Sequence, residues 1–238
     1  MDPSSAHAFP ATVRMPAAAE KRSRGRPRKT PDERDDGNRR VELIHAAARL
    51  FRQKGFDATS TRDIAAAVGM HSGSPFYHFK SKGALLYAVM DEGMRTATLR
   101  QAAALKAAQA GRSDAEALLG LLVRHHFHVL LGPGSDFIPV MLYESRALTA
   151  KQRAALAQLR NDYEAAWEPV LQALVKQGRI KGSPKLARLL IFGALNWSVQ
   201  WFDARKSASL DDLTDAALAL FLHAPAPGKT SSSRKALT

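Results

Sequence analysis

Residues 59–82, TSTRDIAAAVGMHSGSPFYHFKSK, decide the fold predicted for the N-terminal part of this chain. Their first half places Ile64, Ala65 and Val68 on one face of a short helix, and the small Ala65 lets a second helix cross closely. Gly69 then supplies a tight turn, because glycine tolerates the left-handed backbone conformation that such a turn needs. The stretch therefore predicts a helix-turn-helix.

The second helix of this motif starts near Ser72 and carries small polar residues, Ser72, Gly73 and Ser74, at its N-terminal end. Small residues let a helix backbone enter a DNA major groove that is about 12 Å wide. At its far end Phe76 and Phe79 are expected to anchor the helix against a core. That core is predicted to contain Leu43, Phe51 and Leu85. The motif, from Ser60 to Phe79, predicts DNA binding.

Phosphate contacts are expected at both ends of the helix pair. Ser60, Thr61 and Arg62 open the first helix, where free N–H groups and the helix dipole favour an anion. Cationic or hydroxyl side chains follow the second helix. These are Tyr77, His78, Lys80 and Lys82. Such contacts position a protein on DNA, whereas contacts to base edges specify the sequence.

The bulk composition agrees with a polyanionic partner. The 238 residues include 35 Lys and Arg against 22 Asp and Glu, which gives a formal net charge of +13. This excess suits either nucleic acid or an acidic membrane surface. The lack of cysteine excludes disulfides, thiolate catalysis and Cys-ligated zinc. Neither a signal-peptide core nor a run of about 20 uncharged apolar residues occurs, so we expect a cytoplasmic protein with no membrane span.

The periodicity of apolar residues predicts an all-α protein with about nine helices. The predicted helices are 39–54, 61–68, 72–78, 82–108, 115–131, 137–148, 150–177, 184–205 and 210–222. Pro169 lies inside the seventh and is expected to kink or split it. The predicted organisation is a disordered basic arm (1–38), a three-helix helix-turn-helix domain (39–90), a larger helical-bundle domain (91–223) and a disordered tail (224–238).

Several helix starts carry capping patterns. The spacing of Ser60 and Asp63, of Ser113 and Glu116, and of Thr149 and Gln152 is typical of capping boxes, in which two groups satisfy free N–H donors reciprocally. Two further starts are Ser183-Pro184 and Ser209-Leu-Asp-Asp212.

The segment from Val41 to Leu86 resembles the DNA-binding domain of the TetR family of repressors. The residues that carry the resemblance are Ala48-Arg-Leu-Phe51, Gly55-Phe56, Thr59-Ser60-Thr61, Asp63-Ile64-Ala65, Val68-Gly69, Gly73, Tyr77-His78-Phe79, Ser81-Lys82 and Leu85. The resemblance implies DNA contacts at Thr59, Thr61, Arg62, Ser72, Gly73, Ser74, Tyr77, His78 and Lys82. The chain departs from the family pattern at Pro75, Phe76, Gly83 and Ala84.

A basic strip precedes this domain. Arg24-Gly-Arg-Pro-Arg28 resembles the core of an AT-hook, in which glycine and proline keep the strip extended and narrow. Arg24, Arg26 and Arg28 are expected to lie in an A/T-rich minor groove, whose negative potential is enhanced. The alternative is a solvated tail that adds only non-specific affinity.

For residues 91–223 the family resemblance implies a bundle that encloses a pocket for a small effector and whose last two long helices form a homodimer interface. The implied pocket residues are His126, Tyr143, Arg146, Asn196 and Trp197. The implied interface residues are Leu189, Gly193, Trp201, Leu213, Leu220 and Phe221. Some of this apolar stripe is equally compatible with intramolecular core.

Gly193-Ala-Leu-Asn-Trp197, with Trp201 nearby, resembles a subgroup of the family that controls fatty-acid or sterol breakdown. Members of that subgroup often bind acyl-CoA thioesters, which implies an acyl-CoA or another hydrophobic ligand as effector. Arg124 and Arg146 would then be candidates for phosphate contacts, unless they are surface or interface residues.

Three polar features have open interpretations. His125, His126 and His128 share one helical turn, but no carboxylate lies nearby in sequence, so we expect neither a metal site nor a cofactor. A second cluster, Tyr143-Glu144-Ser-Arg146, fits a pocket or a surface equally. Asn196, within an apolar helix, needs partners across a dimer interface or in a ligand.

The function that the sequence favours is a homodimeric repressor that binds a palindromic operator in double-stranded DNA and is released by an effector. One alternative is a constitutive regulator with no effector. A helical-bundle enzyme is disfavoured by the lack of a nucleophile–base pair, a metal motif or a glycine-rich phosphate loop. A membrane-surface scaffold would explain the charge but not the helix-turn-helix.

Overall fold

The computed structural model describes the backbone of residues 31–70, 75–203, 205–206 and 208–223, and side chains from residue 38 onward with gaps at 71–76, 204 and 207. Ten α-helices and two 3-10 turns, with no strand, make up these described ranges. The helices are α1 (Pro31–Lys54), α2 (Thr61–Ala67), α3 (Pro75–His78), α4 (Lys82–Ala110), α5 (Ala115–Leu131), α6 (Phe137–Glu144), α7 (Ala150–Ala165), α8 (Glu168–Lys176), α9 (Pro184–Trp197) and α10 (Leu210–Phe221). The all-α prediction is confirmed.

The first helix is longer than predicted. It begins at Pro31 and not near residue 39. Proline fits the first turn of a helix because its missing N–H would have no intrahelical partner there. This preference outweighs the lack of an apolar period before residue 39.

Residues 39–90, called here the N-terminal unit, supply most of one apolar core, which Val140, Leu148 and Leu156 complete. Leu43, Phe51, Phe79 and Leu85 are buried together, as predicted. The side chain of Phe76 lies outside the described residues. Glycine ends α1 and α2: Gly55 has φ 82° and Gly69 has φ 67°, conformations that a residue with a Cβ rarely adopts.

Helix α4 connects this unit to the bundle. It has 29 residues and is about 43 Å long. Along it the packing changes from the first core, which ends with Met90, to the second, which begins with Met94. Between them Gly93 lets α6 approach, since a Cβ there would lie 2.5 Å from the Cβ of Phe137.

Helices α5, α7, α8 and α9 surround the second core. Trp167 lies at its centre, fully buried, with Phe127 and Leu171. The predicted seventh helix is split, as expected of Pro169, into α7 and α8. Pro169 occupies the first turn of α8, where it removes no hydrogen bond. This split accounts for ten helices against the nine predicted.

Two further predicted helix bounds are wrong. Helix α9 stops at Trp197 and passes into a 3-10 turn, Ser198–Gln200, whereas the prediction continued it to residue 205. The Ser198 hydroxyl donates to the Leu195 carbonyl at 2.6 Å, a local bond that competes with regular helix. Similarly, α6 ends at Glu144 and a 3-10 turn follows.

Most predicted caps are present. Capping boxes form at Ser60, Thr149 and Ser209, and Ser183 caps α9 ahead of Pro184. The cap predicted at Ser113 is wrong: Asp114 caps α5 by accepting from the Ala117 N–H at 2.8 Å. A carboxylate one residue closer to the helix interacts more strongly with its dipole than a hydroxyl does.

An apolar face of α9 and α10 remains exposed. Its members are Leu186, Leu189, Leu190, Trp197, Trp201 and Leu220. Within the described residues no helix is both long and apolar enough to cross a membrane.

Candidate nucleic-acid interface and ligand cavity

The start of α2 and the end of α3 present the exposed polar groups of the N-terminal unit. Arg62 is exposed and Thr61 half-buried in the first turn of α2, and Tyr77 is 80% exposed on α3. His78 is half-buried, with its ring edge-on to Tyr77 at 5.3 Å. Lys80 is exposed just beyond the helix. These residues form a mainly cationic and hydroxyl surface that suits phosphate oxygens.

Ser60 caps α2. Its hydroxyl donates to Asp63 Oδ2 at 2.7 Å and accepts from the Asp63 N–H at 3.1 Å. Hydrogen bonds from the Ser60 backbone and hydroxyl lower the pKa of Asp63. The side chain of Ser60 therefore fixes the helix start, where Thr61 and Arg62 are displayed.

The side chain of Thr59, for which a DNA contact is predicted, is turned away from the surface. The residue is fully buried, and its hydroxyl donates to the Gly55 carbonyl at 2.8 Å. This bond closes the loop between α1 and α2, which places the hydroxyl beneath the surface that Arg62 occupies.

Lys82, for which a phosphate contact is predicted, is half-buried and makes hydrogen bonds within the chain. Its ammonium donates to the carbonyls of Phe56 at 2.8 Å and Thr59 at 2.9 Å, and lies 4.3 Å from the centre of the Phe56 ring. These partners satisfy most of its donors and attach the start of α4 to the α1–α2 loop. Lys82 therefore stabilises the loop that precedes α2.

The other predicted DNA contacts lie outside the described residues. They are Ser72, Gly73 and Ser74 of the recognition helix and Arg24, Arg26 and Arg28 of the arm.

A cavity of about 670 Å³ opens among α4, α5, α6, α7 and α9. Apolar side chains form most of its wall: Met94, Val129, Ile138, Met141, Leu142, Leu156 and Phe192. A cavity of this size, mostly apolar with a few polar groups, is typical of small-molecule sites.

Two of the five predicted pocket residues, His126 and Asn196, line this cavity. The other three, Tyr143, Arg146 and Trp197, do not line it. Tyr143 lies on the outer side of α6, where its hydroxyl accepts from Gln200 Nε2 at 2.5 Å. Arg146 is exposed in the 3-10 turn because α6 ends early, and Trp197 is 65% exposed on the outer face of α9.

Buried polar groups form a hydrogen-bonded row at the inner wall. The Tyr163 hydroxyl lies 3.1 Å from His126 Nδ1, and His126 Nε2 lies 3.0 Å from Asn196 Oδ1. Burial lowers the pKa of His126 to about 4 and raises that of Tyr163 well above its usual value, so both are neutral near pH 7. Gln101 Nε2 donates to the Tyr163 carbonyl at 2.8 Å, and Gln101 Oε1 accepts from the Trp167 indole N–H at 3.0 Å. These two bonds hold Tyr163 in place.

Arginines line the outer part of the cavity. Arg153 and Arg160 are exposed on α7, and Arg188 on α9 pairs with Glu164 at 2.5 Å. The Nε of Arg188 is buried and has no hydrogen-bond partner among the described residues. Three arginines against one carboxylate leave a positive mouth that suits an anionic group.

The sequence interpretation missed these arginines and Tyr163. A signal was present: Arg153, Leu156, Arg160 and Tyr163 follow the spacing of one helix face, where polar and apolar residues alternate. A stripe of this kind is typical of a helix that borders a polar cavity and not a dry core.

The remaining polar candidates have structural partners. His125 Nε2 lies 3.0 Å from the Ala97 carbonyl, and His128 is exposed. In the described ranges no three His, Cys, Asp or Glu side chains are arranged to hold a metal ion. Arg124 pairs with Asp211 of α10 at 3.3 Å, outside the cavity. This ion pair belongs to the packing of α10 on α5.

Glu144 joins the two parts of the molecule. Its Oε1 accepts from the backbone N–H of Phe56 at 3.0 Å, across the boundary between α6 and the α1–α2 loop. Since Met141 and Leu142 of the same helix line the cavity, α6 contacts both the cavity and the loop that precedes α2. The sequence predicts either a pocket role or a surface role for Glu144. The structure shows a third role, a hydrogen bond that connects α6 to the α1–α2 loop.

The predicted dimer residues divide into two sets. Leu189, Trp201 and Leu220 are exposed, and Gly193 has open space where a Cβ would stand. Leu213 and Phe221 are half-buried and pack on the second core of the same chain. Leu189 also borders the cavity. The exposed set is available to a second chain.

Two family models match the chain. The model described as bacterial regulatory proteins, tetR family, matches residues 43–89, and the model described as tetracyclin repressor-like, C-terminal domain, matches residues 112–224. The HTH-type transcriptional repressor KstR2 of Rhodococcus jostii strain RHA1 is 30% identical over 200 residues, which cover 81% of this chain and 96% of the relative.

Solved structures share the fold. The superantigen PfiT is 38% identical with a TM-score of 0.65, over 77% of this chain and 95% of the other. AibR, solved with isovaleryl coenzyme A and operator DNA, is 24% identical with a TM-score of 0.68, over 77% of this chain and 97% of the other.

Proposed function

The chain belongs to the TetR family of bacterial regulators, and we propose that it is a homodimeric transcriptional repressor whose affinity for operator DNA is lowered by a small molecule in the 670 Å³ cavity. The likeness to the repressor KstR2 supports repression, and the description of a KstR2 structure as a ketosteroid transcriptional regulator agrees with a subgroup for sterol breakdown. The superantigen PfiT has the same fold, but the match of residues 43–89 to a regulatory family favours a regulatory function here.

The observation that carries the proposal is that the cavity and the N-terminal unit share helices. Met94 of α4 and Met141 of α6 line the cavity, while Val89 of α4 and Val140 of α6 lie in the core of the N-terminal unit. A ligand that moved either helix would therefore move α2 and α3 as well. Effector binding then shifts the population toward a pose in which two recognition helices no longer fit successive grooves.

The chemistry of the cavity favours an acyl-CoA or another hydrophobic molecule with an anionic end. Its apolar wall suits an acyl or ring system, and Arg153, Arg160 and Arg188 suit phosphate or carboxylate. AibR accommodates both isovaleryl coenzyme A and operator DNA on this fold. We propose the same two classes of ligand, an acyl-CoA and operator DNA, for this chain, with the acyl-CoA lowering the affinity for DNA.

A second copy of the chain is the proposed partner of the exposed apolar face on α9 and α10. Large side chains such as Leu190 and Trp197 are more than half exposed there, and apolar patches of this kind mark protein–protein interfaces. A twofold dimer would present two recognition helices to a palindrome. The arm with Arg24, Arg26 and Arg28 is proposed to add minor-groove contacts, and the cytoplasm is the proposed location.

The experiment has two stages. A palindromic operator is first selected with the full-length protein from a random double-stranded library. The Kd of the protein for that palindrome is then measured by fluorescence anisotropy with and without saturating hexanoyl-CoA, with free CoA plus hexanoate as control. A rise of about tenfold or more with the thioester alone supports the proposal. If hexanoyl-CoA binds the protein but leaves the Kd for DNA unchanged, the chain is a constitutive regulator.

A further inference from the structure

The row formed by Tyr163, His126 and Asn196, called here the polar row, ends in an amide group at the cavity. Tyr163 and His126 are 3% and 4% exposed, and Asn196 is half-buried. Asn196 uses its oxygen for His126, but its amide nitrogen makes no hydrogen bond with any residue that the structure describes. Among the described residues the only buried side-chain nitrogen or oxygen without a partner is Arg188 Nε, so the Asn196 nitrogen is accessible. An accessible donor on a residue that lines a cavity marks a position that a ligand can fill.

The positions of the protons in the row follow from its chemistry. Neutral His126 carries one N–H, and Asn196 Oδ1 can only accept, so the proton lies on Nε2. Nδ1 is then an acceptor, and the Tyr163 hydroxyl donates to it. With the Asn196 oxygen facing His126, the chain of donors runs from Tyr163 through His126 to Asn196.

In this arrangement His126 holds the oxygen of the Asn196 amide. Turning the amide over would require the His126 proton to move from Nε2 to Nδ1 and the Tyr163 hydroxyl to become the acceptor. The amide nitrogen then has no protein partner among the described residues, on a wall where Asn196 lies with the polar His126 and Tyr163 and the apolar Phe192 and Val129. This wall is at the buried side, since Arg153 and Arg160 line the exposed side.

We propose that Asn196 is a specificity-determining residue that donates a hydrogen bond to an acceptor oxygen, a keto or ester carbonyl, at the apolar end of the effector. His126 and Tyr163 are positioning residues for this amide. The inference rests on the proposed function, because it assumes an effector whose anionic end meets the arginines and whose other end reaches the inner wall.

The same geometry predicts rejection of a ligand that lacks the oxygen. A methylene group against the amide would leave a desolvated donor without a partner, which weakens binding. A site built to hydrogen-bond a substrate group discriminates in this way against the analogue that lacks it. We expect the oxygenated ligand to bind about tenfold or more tightly.

The test compares hexanoyl-CoA with 5-oxohexanoyl-CoA by isothermal titration calorimetry on the full-length protein. Asn196→Leu removes the donor, and Asn196→Asp removes it but keeps an oxygen for His126. His126→Phe removes the positioning bond, and Gln172→Leu is the matched amide control, exposed on α8 away from the cavity. We expect the wild type and Gln172→Leu to prefer the keto thioester, and the two Asn196 variants to lose the preference while hexanoyl-CoA affinity changes less than threefold.

His126→Phe is expected to weaken the preference without abolishing it, since the amide remains but turns more freely. Equal affinity of the wild type for both thioesters, or a preference that survives in Asn196→Asp, overturns this inference and leaves the proposed function in place. Failure of both thioesters to bind the wild type overturns the inference together with the thioester class of effector. Because Asn196→Asp preserves the bond to His126, it keeps the test decisive if Asn196→Leu does not fold.

Discussion

Lys80 and Lys82 lie two residues apart, and in the described structure only Lys82 is bonded to backbone carbonyls. Lys82→Ala would leave the carbonyls of Phe56 and Thr59 without this charged donor. We expect a loss of about 1–2 kcal/mol of unfolding free energy, which is a fall in Tm of about 2–8 °C for a chain of this size. Thermal unfolding followed by circular dichroism measures it.

Lys80→Ala is the matched control for that substitution. Lys80 is exposed, so its removal should leave Tm within about 1 °C and reduce the slope of log K against log salt for operator binding by about one. The reverse pattern, an unchanged Tm in Lys82→Ala and an unchanged salt slope in Lys80→Ala, would restore Lys82 as the phosphate contact.

His126 gives the stability a defined pH dependence. Its pKa is lowered by burial from 6.5 to about 4, so between these values the unfolded chain binds more protons than the folded one. Stability is therefore complete above pH 6.5 and falls as the pH drops toward 4, by about 3 kcal/mol from this group. Urea unfolding at pH 7.5 and pH 5 should show a smaller difference in His126→Gln than in the wild type.

His128→Gln is the control, because His128 is exposed on the same helix. It should retain the pH dependence of the wild type. If His126→Gln retained it as well, carboxylates elsewhere would be its source and the burial of a neutral imidazole at this position would be wrong.

Residue types alone could not separate Thr59 and Lys82 from true surface groups. Both lie in the segment that resembles the TetR family, and both have donors that suit phosphate. What decides their roles is the position of the α1–α2 loop, whose carbonyls attract them inward. That position depends on long-range packing, which a local pattern does not encode. Arg62 and Tyr77, in contrast, are exposed as a DNA contact requires.

At the scale of elements, α6 is the connection that the sequence did not indicate. Glu144→Ala removes the acceptor for the Phe56 N–H, and we expect operator affinity to fall by about three- to tenfold because the loop before α2 loses its support. Glu144→Gln retains an acceptor oxygen and should lie much closer to the wild type. Anisotropy on the selected palindrome measures both.

If Glu144→Ala and Glu144→Gln bound the operator as tightly as the wild type, α6 would not position the N-terminal unit through this residue. If both were equally impaired, the negative charge and not the hydrogen bond would be responsible. Either result contradicts the proposed connection.

Helix bounds were predicted well where a specific residue dictates them. Pro169 splits a helix, Gly55 and Gly69 end two, and Ser60 and Thr149 begin two, all through local chemistry. The end of α9 was predicted less well, because the apolar period continues to Trp201 while the backbone turns at Ser198. An exposed apolar stripe suits a helix and an interface loop equally, so periodicity could not locate this end.

At the scale of the whole molecule, the face of α9 and α10 should hold two chains together. Leu190 is 73% exposed in the single chain, so Leu190→Glu should leave Tm of the monomer unit nearly unchanged but disrupt the dimer. We expect a monomer at micromolar concentration in sedimentation velocity, and loss of palindrome binding. Leu99→Glu, at a residue 72% exposed on α4, is the control and should remain dimeric.

A Leu190→Glu variant that sedimented as a dimer would mean that another surface joins the chains. In that case the exposed apolar side chains of α9 and α10 would need a different partner.

The overall architecture followed from the sequence, since helical periodicity and one specific motif determine an all-α fold with a helix-turn-helix. The cavity did not. Its wall is assembled from five helices, and residues such as Arg153 and Arg188 come together only when α7 and α9 pack. Asn196 was found because a polar residue in an apolar helix needs a partner, and that requirement is visible in sequence. His126 was a candidate only as a member of the cluster of three histidines on one helical turn.

The most direct test of the central claim is the binding of the full-length dimer to three DNA duplexes by fluorescence anisotropy at one salt concentration. The duplexes are the selected palindrome, the same palindrome with about 5 base pairs inserted at its centre, and a scrambled sequence. Half a helical turn between the half-sites would place the two recognition helices on opposite faces of the DNA. We predict that the palindrome binds about 10³-fold or more tightly than the scrambled duplex, and that the insertion removes most of this preference. Equal affinity for all three duplexes would contradict the account.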